Sequence, residues 1–378
     1  MNKIYNKTIS VNIMVYNEER CIERCINSII NLADEIIIVD TGSTDNTINI
    51  LKSFQSKKIK VYFQKWNNNF SEIRNIMIAL STKDVIFQID ADEYLENNIN
   101  LKKIKKIINS LDEQSSFSPY IIDFYGSGYF SNLNRIFPNN GNFYFFGIIH
   151  EELRYKFGNF NQKKVDIKLL HDGYIKEVID TKKKGRRNIN LSKKMRTLEI
   201  FNPRWYYYYI KDLFNYSKNF SKILNEINSF LKLEYSLYKN EDILYIYQKE
   251  VKIIREFINI QLGNGKRKNI LNLKKEYGNS VDILFLELLL LKIKFQKLKE
   301  ENYKFSKEFI HIENYQDSIF NDTGDHVLYC LCQFFEMFKD LELFKTSFIG
   351  LNKNLRKEYY KKYIKDIEIL YQNLKQFI

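Results

Sequence analysis

The feature that most constrains the fold is an alternation, in the first ninety residues, between short apolar runs and amphipathic stretches. In the stretches, apolar residues recur at helical spacing, as they do in helices that pack on a sheet. The apolar runs span 10–15, 35–40, 59–64 and 84–90, and the stretches span 18–30, 45–54 and 70–80. This order is typical of βαβ units and predicts a doubly wound α/β sheet that is parallel through these four runs.

The character of the chain changes twice farther along. Aromatic and β-branched runs at 120–125, 143–150 and 165–171 predict additional strands, which make the sheet mixed as a whole. Beyond residue 176 the patterns are helical, and the pair 206–216 and 221–231 resembles a tetratricopeptide-like hairpin. We therefore expect an α/β domain over 1–185 and an all-α, tetratricopeptide-like domain over 186–378.

Composition excludes some classes of protein and leaves others open. With 378 residues, 44% hydrophobic and 15% aromatic, the chain is long and apolar enough for two packed domains rather than a disordered protein. The net charge of +13 suits a phosphate-bearing donor, a nucleic acid or an acidic membrane. Because lysine is abundant throughout this Asn- and Ile-rich chain, the charge does not favour a nucleic-acid partner.

The chain shows no sign of secretion or of a membrane span. Residues 1–10 lack an apolar signal core, and the apolar stretch 281–295 is interrupted by charges and too short to cross a bilayer. The four cysteines lack CxxC zinc spacing, which favours reduced thiols. We expect a cytoplasmic protein with no integral membrane segment.

Polar residues follow three apolar runs at the sheet edge where ligands of open α/β folds bind. Asp40 ends the second run before a glycine-containing turn, so its carboxylate can accept hydrogen bonds from a base or ribose. Ser43, Thr44 or Asp45 also suits the cap of the next helix, and the two roles are compatible. The first run ends in Tyr16-Asn17-Glu18-Glu19.

The sharper signal is Asp90-Ala91-Asp92, which follows the strand pattern Val85-Ile86-Phe87-Gln88-Ile89. Carboxylates two residues apart can face one hard divalent cation while the intervening Ala91 points away. A cation held there neutralises a pyrophosphate leaving group. The alternative, an acidic surface turn, is common for an isolated tripeptide but less so after a buried strand.

Other candidates lie on either side of this motif. Arg74, on the helix before the strand, can reach the same edge and clamp diphosphate oxygens, or it can be a solvated helix arginine. His150-Glu151 and His171 each follow an apolar run, which suggests that they converge on one site. An imidazole can complete a metal shell and a carboxylate can accept a proton, although a structural role is the commoner outcome for either histidine alone.

These residues carry a resemblance to a known family. Residues 11–92 resemble glycosyltransferase family 2 with the GT-A fold, and the first 210 residues are similar to the sublancin-type peptide S-glycosyltransferases of bacteriocin gene clusters. The matching motifs are Tyr16-Asn17-Glu18-Glu19, Asp40-Thr41-Gly42-Ser43-Thr44-Asp45, Trp66 with Phe70, Arg74-Asn75, Asp90-Ala91-Asp92-Glu93, Arg135-Ile136-Phe137, His150-Glu151-Glu152, His171-Asp172-Gly173-Tyr174 and Asn202-Pro203-Arg204-Trp205.

The resemblance implies a role for each matching position. It implies a UDP-sugar donor with Mg²⁺ or Mn²⁺, and transfer of the sugar with inversion to a cysteine of a precursor peptide. Glu151 is the expected base, with His150 as its rival. Residues expected at the nucleotide-sugar are Tyr16, Asn17, Glu18, Asp40, Ser43, Asp45, Arg74, Asp90, Ala91 and Arg135, and those expected at the metal are Asp92, Asp90 and His171.

Three functions remain open on the sequence. The first is an inverting, metal-dependent hexosyltransferase that moves glucose from UDP-glucose to a Cys or Ser of a bacteriocin precursor peptide. The second is a transferase that acts on a lipooligosaccharide or another glycan. The third is a scaffold that binds nucleotide-sugar without turnover. A homodimer formed through the helical half is expected, because apolar helical surfaces often self-associate.

Overall fold

The computed structural model describes residues 6–96, 100–123, 128–130, 134–171, 184–233, 241–309, 328–329, 331–332, 341–351 and 353–362. The alternating region forms the expected order of elements. These are β1 (Ile9–Val15), α1 (Ile22–Ile29), β2 (Glu35–Asp40), α2 (Thr47–Ser53), β3 (Ile59–Phe63), α3 (Phe70–Leu80) and β4 (Val85–Asp90). Strands β1 to β4 pair in parallel, as the periodicity predicts.

The next part of the chain extends the sheet with both parallel and antiparallel strands. It comprises β5 (Glu93–Leu95), α4 (Leu101–Asn109), β6 (Ser115–Asp123), β7 (Gly128–Phe130), β8 (Ile136–Pro138), β9 (Phe143–Phe146), β10 (Glu152–Tyr155) and β11 (Asn161–His171). The strand order is β3-β2-β1-β4-β8-β6-β11-β5 with β7 paired to β6, and β9 and β10 form a separate hairpin. The predicted mixed sheet is confirmed.

Helices cover both faces of this sheet. On one face, Ile22 and Ile26 of α1 and Ile104 of α4 are fully buried against alternate residues of β1. On the other face, Ile73 and Met77 of α3 are buried against β2. Burying a large aliphatic side chain contributes about 1.5–3 kcal/mol, so the two layers fix the strand ends that carry the polar motifs.

One predicted strand is too long. The run 143–150 was expected to be a single strand, but β9 ends at Phe146 and residues 147–150 form a loop. Gly147 and His150 both adopt a positive φ, which interrupts the extended backbone. The apolar pattern continues through Ile148 and Ile149 because they are buried against helices instead of in a sheet.

The described residues after 183 are helical, as predicted. The elements are α5 (Lys184–Leu198), α6 (Pro203–Tyr216), α7 (Phe220–Lys232), α8 (Glu241–Gln261), α9 (Arg267–Tyr277), α10 (Val281–Phe309) and α11 (Leu341–Gly350). Asn202 caps α6 by accepting the Arg204 N–H, and Pro203 occupies the first turn, where its missing donor costs nothing. The tetratricopeptide-like repeat remains a prediction.

The chain divides into two compact units, 1–254 and 255–378. The first contains the sheet together with α5, α6, α7 and most of α8, and the second contains α9, α10 and α11. The division at residue 185 remains a prediction about domains. Across the described ranges, no helix carries an apolar stretch long enough to cross a bilayer. Cys21, Cys25 and Cys332 are buried free thiols.

Candidate active site

The loops after β1 and β2 are tied together by hydrogen bonds between their own motif residues. The backbone N–H of Asn17 donates to Ser43 Oγ (2.9 Å), and Asn17 Oδ1 accepts the N–H of Thr44 (2.7 Å). Glu18 donates its N–H to Thr47 Oγ1 (2.8 Å). Asn17 adopts a φ of 53°, a left-handed conformation that asparagine tolerates better than most residues. The two motifs therefore form one preorganised surface beside the exposed Tyr16 ring.

Asp40 lies beneath this surface and is fully buried. Its Oδ1 accepts the N–H groups of Gly42 (2.8 Å) and Ser43 (2.9 Å). Its Oδ2 makes no hydrogen bond to any of the described residues. Because a buried polar atom without a partner is costly, this oxygen suits a donor group of a ligand.

Asp45 binds the start of α2, although the N-cap residue of that helix is Asn46, whose side chain makes no capping hydrogen bond. Asp45 Oδ1 accepts the N–H of Thr47 (3.0 Å) at the start of α2, and its Oδ2 accepts the N–H of Glu19 (3.1 Å). Partial burial alone would raise the pKa of Asp45, but the hydrogen bonds from Thr47 and Glu19 lower it below its usual value. The carboxylate therefore stays charged and holds the two loops together.

Asp90, at the end of β4, is held between two buried arginines. Oδ1 accepts from Arg74 Nη2 (3.0 Å) and Oδ2 accepts from Arg135 Nη2 (3.0 Å). Burial alone would raise the pKa of this carboxyl, yet Arg135 and Arg74 hold it well below its usual range. Asp90 is therefore ionised, and each of its oxygens already accepts a charged hydrogen bond.

Each arginine also binds a second carboxylate. Arg135 Nη2 donates to Glu93 Oε1 (2.9 Å), and Arg74 Nε donates to Glu151 Oε1 (2.7 Å). Burial, partly offset by Arg135, raises the pKa of Glu93 to about 7. Five charged groups thus alternate in sign in the order Glu151, Arg74, Asp90, Arg135, Glu93. We call this set the charged chain.

Asp92 and His171 lie next to the charged chain as a buried pair. Asp92 Oδ1 and His171 Nε2 are 3.5 Å apart. The pairing of β5 with β11 places His171 opposite Glu93 and so beside Asp92, while Ala91 is buried between the two aspartates. Burial alone would lower the pKa of His171, but the carboxylate of Asp92 raises it.

The donor set here fits a divalent transition metal. A carboxylate and an imidazole are ligands that Mn²⁺ accepts, whereas Mg²⁺ prefers oxygen alone. Within the described ranges, no cluster of three or more His, Cys, Asp or Glu side chains has metal-binding geometry. Because both Asp90 oxygens bind arginines, Asp92 and His171 are the better-placed predicted ligands, and a bound diphosphate could complete the shell.

The loop 147–151, which carries His150 and Glu151, rests on the helical hairpin α5–α6. Trp205 of α6 is fully buried in a cluster with Ile148, Ile149 and Met195. A Cβ on Gly147 would lie 2.8 Å from Trp205 Cη2, so only glycine fits beneath the indole at this position. The loop's backbone is therefore shaped by a residue 58 positions away in the sequence.

The N-terminal side of this loop is fixed to the helix α3. Ile148 accepts the N–H of Phe70 at the start of α3 (3.0 Å). The amide side chain of Asn75 bonds both backbone groups of Phe145, at 2.7 Å to the N–H and 2.9 Å to the carbonyl. Arg74-Asn75 thus has two structural roles in this fold, because Arg74 holds carboxylates and Asn75 fixes β9.

Comparisons with known proteins agree with this geometry. The glycosyl transferase family 2 model matches residues 10–174. The SPbeta prophage-derived glycosyltransferase SunS of Bacillus subtilis (strain 168) is 31% identical over 334 residues, covering 84% of this chain and 74% of SunS. The chain belongs to glycosyltransferase family 2. The predicted resemblance and the predicted transferase activity are both confirmed.

Other relatives match this transferase less completely. An uncharacterised glycosyltransferase of Rickettsia bellii (strain RML369-C) is 37% identical over 99 residues, which is 26% of this chain and 32% of the relative. The crystal structure of S. aureus TarS 1–349 is similar with a TM-score of 0.40 and 13% identity, covering 72% of this chain and 93% of that one.

The structure of the transferase adds residues that the sequence interpretation did not include. Asp212 of α6 accepts from His150 Nε2 (2.9 Å), and the Tyr208 ring stacks on the imidazole with centroids 4.3 Å apart. Arg204 Nη2 donates to the His150 carbonyl (2.9 Å). Arg204 lies in a motif that the family resemblance had marked, whereas nothing in the sequence around Asp212 indicates its contact with His150.

Some predicted positions differ from their expected surroundings. The diphosphate clamp proposed for Arg74 remains a prediction, because its buried guanidinium binds Asp90 and Glu151 in this conformation. Arg135 likewise binds Asp90 and Glu93. The residues Asp172, Gly173 and Tyr174 of the His171 motif lie outside the described part of the chain.

Proposed function

We propose that this glycosyltransferase moves a hexose, with glucose from UDP-glucose as the expected donor, to a Cys or Ser side chain of a bacteriocin precursor peptide. The observation that carries the proposal is the charged chain beside the Asp92–His171 pair, in a protein 31% identical to SunS over most of its length. Paired carboxylates and guanidiniums of this kind suit a reaction in which a diphosphate departs.

The nucleotide is assigned to the loops after β1 and β2. Tyr16, Asn17, Glu18 and Asp45 surround the base and ribose in this proposal, and Ser43 holds Asn17 in its left-handed conformation. The unpartnered Asp40 Oδ2 accepts from a donor group of the uridine.

The diphosphate and sugar are assigned to the end of β4. Asp92 and His171 would hold the divalent metal, with Asp90 as the third predicted ligand. The metal, when bound, neutralises charge on the departing UDP. Arg74 and Arg135 keep Asp90 ionised and oriented, while the buried Ala91 lets the two aspartates approach one centre.

The reaction is a single displacement that inverts the anomeric carbon. The acceptor sulfur or oxygen forms the new bond to that carbon, the bond to the diphosphate breaks, and the acceptor proton goes to a base. The sequence predicts Glu151 as that base and His150 as the rival. A thiol has a pKa of roughly 8.5, so it needs less help from a base than an alcohol does.

Mass spectrometry of peptide products tests the acceptor. A synthetic glycine-rich peptide with one cysteine is incubated with UDP-glucose and Mn²⁺, alongside its serine and alanine versions. A gain of one hexose on the cysteine peptide and none on the alanine peptide supports the proposal. Hydrolysis of UDP-glucose without modification of either reactive peptide would instead favour a glycan acceptor, and no turnover of donor at all would contradict the proposal.

We also propose that the transferase is a homodimer, through an apolar seam on α10. The seam consists of six residues spaced alternately by three and four, each between 45% and 82% exposed. They are Val281, Leu284, Leu288, Leu291, Phe295 and Leu298. This is the a/d spacing of a coiled coil. A second copy of α10 running antiparallel would pair all six residues and bring Glu287 of one copy close to Lys294 of the other. A parallel copy would instead place Lys294 of one helix beside Lys299 of the other, where the two positive charges repel.

Sedimentation velocity tests the dimer. Leu288→Asp places a charge at the centre of the seam and is expected to give a monomer. Leu271→Asp, at an exposed leucine of α9 outside the seam, is the matched control and should leave the mass unchanged. A wild-type protein that sediments as a monomer at micromolar concentration would contradict the proposed dimer.

A further inference from the structure

The two candidate bases of the loop 147–151 are neighbours, but they are held in opposite ways. Glu151 accepts from Arg74 Nε at 2.7 Å, and both side chains are largely buried. Moving the Glu151 carboxylate toward a substrate would break this buried ion pair. Glu151 is therefore well suited to orient Arg74 and poorly suited to accept a proton during turnover.

His150 is instead bound to a carboxylate. Its Nε2 lies 2.9 Å from Asp212 Oδ2, so the two side chains are joined by a hydrogen bond. Asp212 is buried, with 4% of its side chain exposed. An ionised carboxylate only accepts hydrogen bonds, so Nε2 must carry the hydrogen. The neutral imidazole then has its lone pair on Nδ1, as in other histidines oriented by a carboxylate.

The Nδ1 atom can take a proton from the substrate that receives the sugar. It makes no hydrogen bond to any described residue, and it is not fully buried. The ring plane is fixed by Tyr208, which stacks on it with an interplanar angle of 13°. The left-handed backbone of His150 (φ 52°) sets the direction in which the side chain leaves the loop.

The charges around the imidazole favour this role. From α6, Asp212, Tyr208 and Arg204 face the histidine, and Arg204 Nε lies 3.2 Å from Glu152 Oε2, which offsets its positive charge. Tyr247 of α8 packs edge-on to Tyr208 and accepts from Arg204 Nη1 (3.3 Å). With Arg204 balanced by Glu152, Asp212 is the carboxylate in direct contact with the ring.

We infer that His150 is the proton acceptor and that Asp212 is a positioning residue that fixes its tautomer and stabilises the imidazolium. This inference rests on the proposed transfer to a thiol or hydroxyl. As the acceptor atom bonds to the anomeric carbon, its proton moves to His150 Nδ1 and UDP leaves with the electron pair of the broken bond. The imidazolium later releases that proton to solvent. The helical half thus supplies part of the catalytic machinery through α6.

Nitrogen NMR tests the tautomer without any substrate. The chain contains four histidines, so ¹⁵N-histidine labelling resolves His150 by comparison with the His150→Asn spectrum. Asparagine tolerates the left-handed backbone at this position, which keeps the loop intact. We expect the wild-type His150 to carry its hydrogen on Nε2, and we expect Asp212→Asn to change both ring nitrogen shifts. A hydrogen on Nδ1 in the wild type would overturn the inference.

Kinetics then test the catalytic consequence, with UDP-glucose, Mn²⁺ and the cysteine peptide. Asp212→Asn should lower kcat at least tenfold, as part of the roughly 10²–10⁴-fold that a general base supplies, while the KM for UDP-glucose stays within about twofold. Residues that act as a unit are not additive, so His150→Asn with Asp212→Asn should be no slower than His150→Asn alone. An unchanged kcat in Asp212→Asn would overturn the inference even if the NMR shifts moved.

A matched control separates positioning from general stability. Glu226→Gln removes an ion pair between α5 and α7, in which Arg196 binds Glu226 at 2.6 Å. It should lower the unfolding temperature and leave kcat unchanged.

Calorimetric binding of UDP to each variant separates a failure of the proposed function from a failure of the inference about Asp212. A wild type that fails to bind UDP would contradict the proposed function, and the NMR result would still decide the role of Asp212.

Discussion

The donor loops after β1 and β2 and the loop 147–151 are organised by contacts of opposite kinds. In the donor loops, motif side chains bond backbone groups within 30 residues, as Ser43 does with Asn17. In the loop 147–151, the determining contacts reach from His150 to Asp212, from Glu151 to Arg74 and from Gly147 to Trp205. The loops after β1 and β2 are therefore held by contacts between neighbouring motifs, whereas the loop 147–151 depends on the packing of the helical hairpin.

The largest expected effect comes from breaking the charged chain. Arg74→Met leaves the largely buried Glu151 without its arginine, and breaking a buried pair in this way costs about 3–5 kcal/mol, whereas the Asp90 side chain is 36% exposed and keeps Arg135. Urea denaturation should show that loss in the free energy of unfolding, together with loss of turnover. Lys103→Met, which removes a surface pair with Asp166, is the control and should change stability little. Equal effects of the two substitutions would contradict a structural role for the charged chain.

Gly147→Ala tests how far the loop 147–151 depends on packing against the helices. The added Cβ would meet Trp205 at 2.8 Å at a φ of 113°, so overpacking of about 1–3 kcal/mol adds to backbone strain. Gly158→Ala is the matched control, because its φ of 100° is similar but nothing lies within 4 Å. We expect Gly147→Ala to be less stable than the control and to have a lower kcat, as measured by thermal unfolding and peptide modification. Identical stabilities would show that the indole does not constrain the loop.

The pH dependence of stability tests the same hairpin. Burial alone would raise the pKa of Glu199, but hydrogen bonds from Arg154, Trp205 and Asn202 lower it to about 2 from 4.5. Because the folded pKa is lower than the unfolded one, this carboxyl stabilises the fold above pH 4.5, and the benefit is lost as pH falls toward 2. Glu199→Gln should cost on the order of 2 kcal/mol at pH 7 and progressively less below pH 4.5. A deficit that stays constant down to pH 2.5 would contradict this origin.

The smallest effect is expected in the donor loops. Ser43→Ala removes the acceptor for the Asn17 N–H, and a hydrogen bond of this type contributes about 1 kcal/mol. UDP affinity should fall several-fold because Asn17 is no longer held in its left-handed conformation. Ser53→Ala, which removes an exposed bond within α2, is the control for loss of a hydroxyl. A stronger effect of Ser43→Ala on kcat than on UDP affinity would contradict the assignment of these loops to donor binding.

The same difference explains what the sequence could predict. The first four strands and three helices follow from periodicity, and the donor loops follow from a short motif whose residues bond one another. Arg74 was expected at the same edge as Asp90, but the pairing of Asp90 with Arg135 was not predictable, because it depends on the antiparallel β8 lying beside β4. His171 approaches Asp92 through β5, a strand of only three residues that gives no periodic signal.

The loop 147–151 was harder still to predict from the sequence. Its apolar residues continued a strand pattern, so the sequence predicted β structure up to His150. The positive φ values at Gly147 and His150 arise from tertiary packing on Trp205 and from the contact with Asp212. A pattern of hydrophobic residues records burial but does not distinguish burial in a sheet from burial against helices.

Calorimetric titration of UDP in the presence and absence of Mn²⁺ tests the central claim most directly, since it reports on the donor loops and on the Asp92–His171 pair at once. The account predicts Mn²⁺-dependent binding to the wild type, weakened at least tenfold in Asp92→Asn and unchanged in Asp212→Asn. A UDP affinity that is unchanged both by Mn²⁺ and by the Asp92 substitution, or no binding at all, would contradict it.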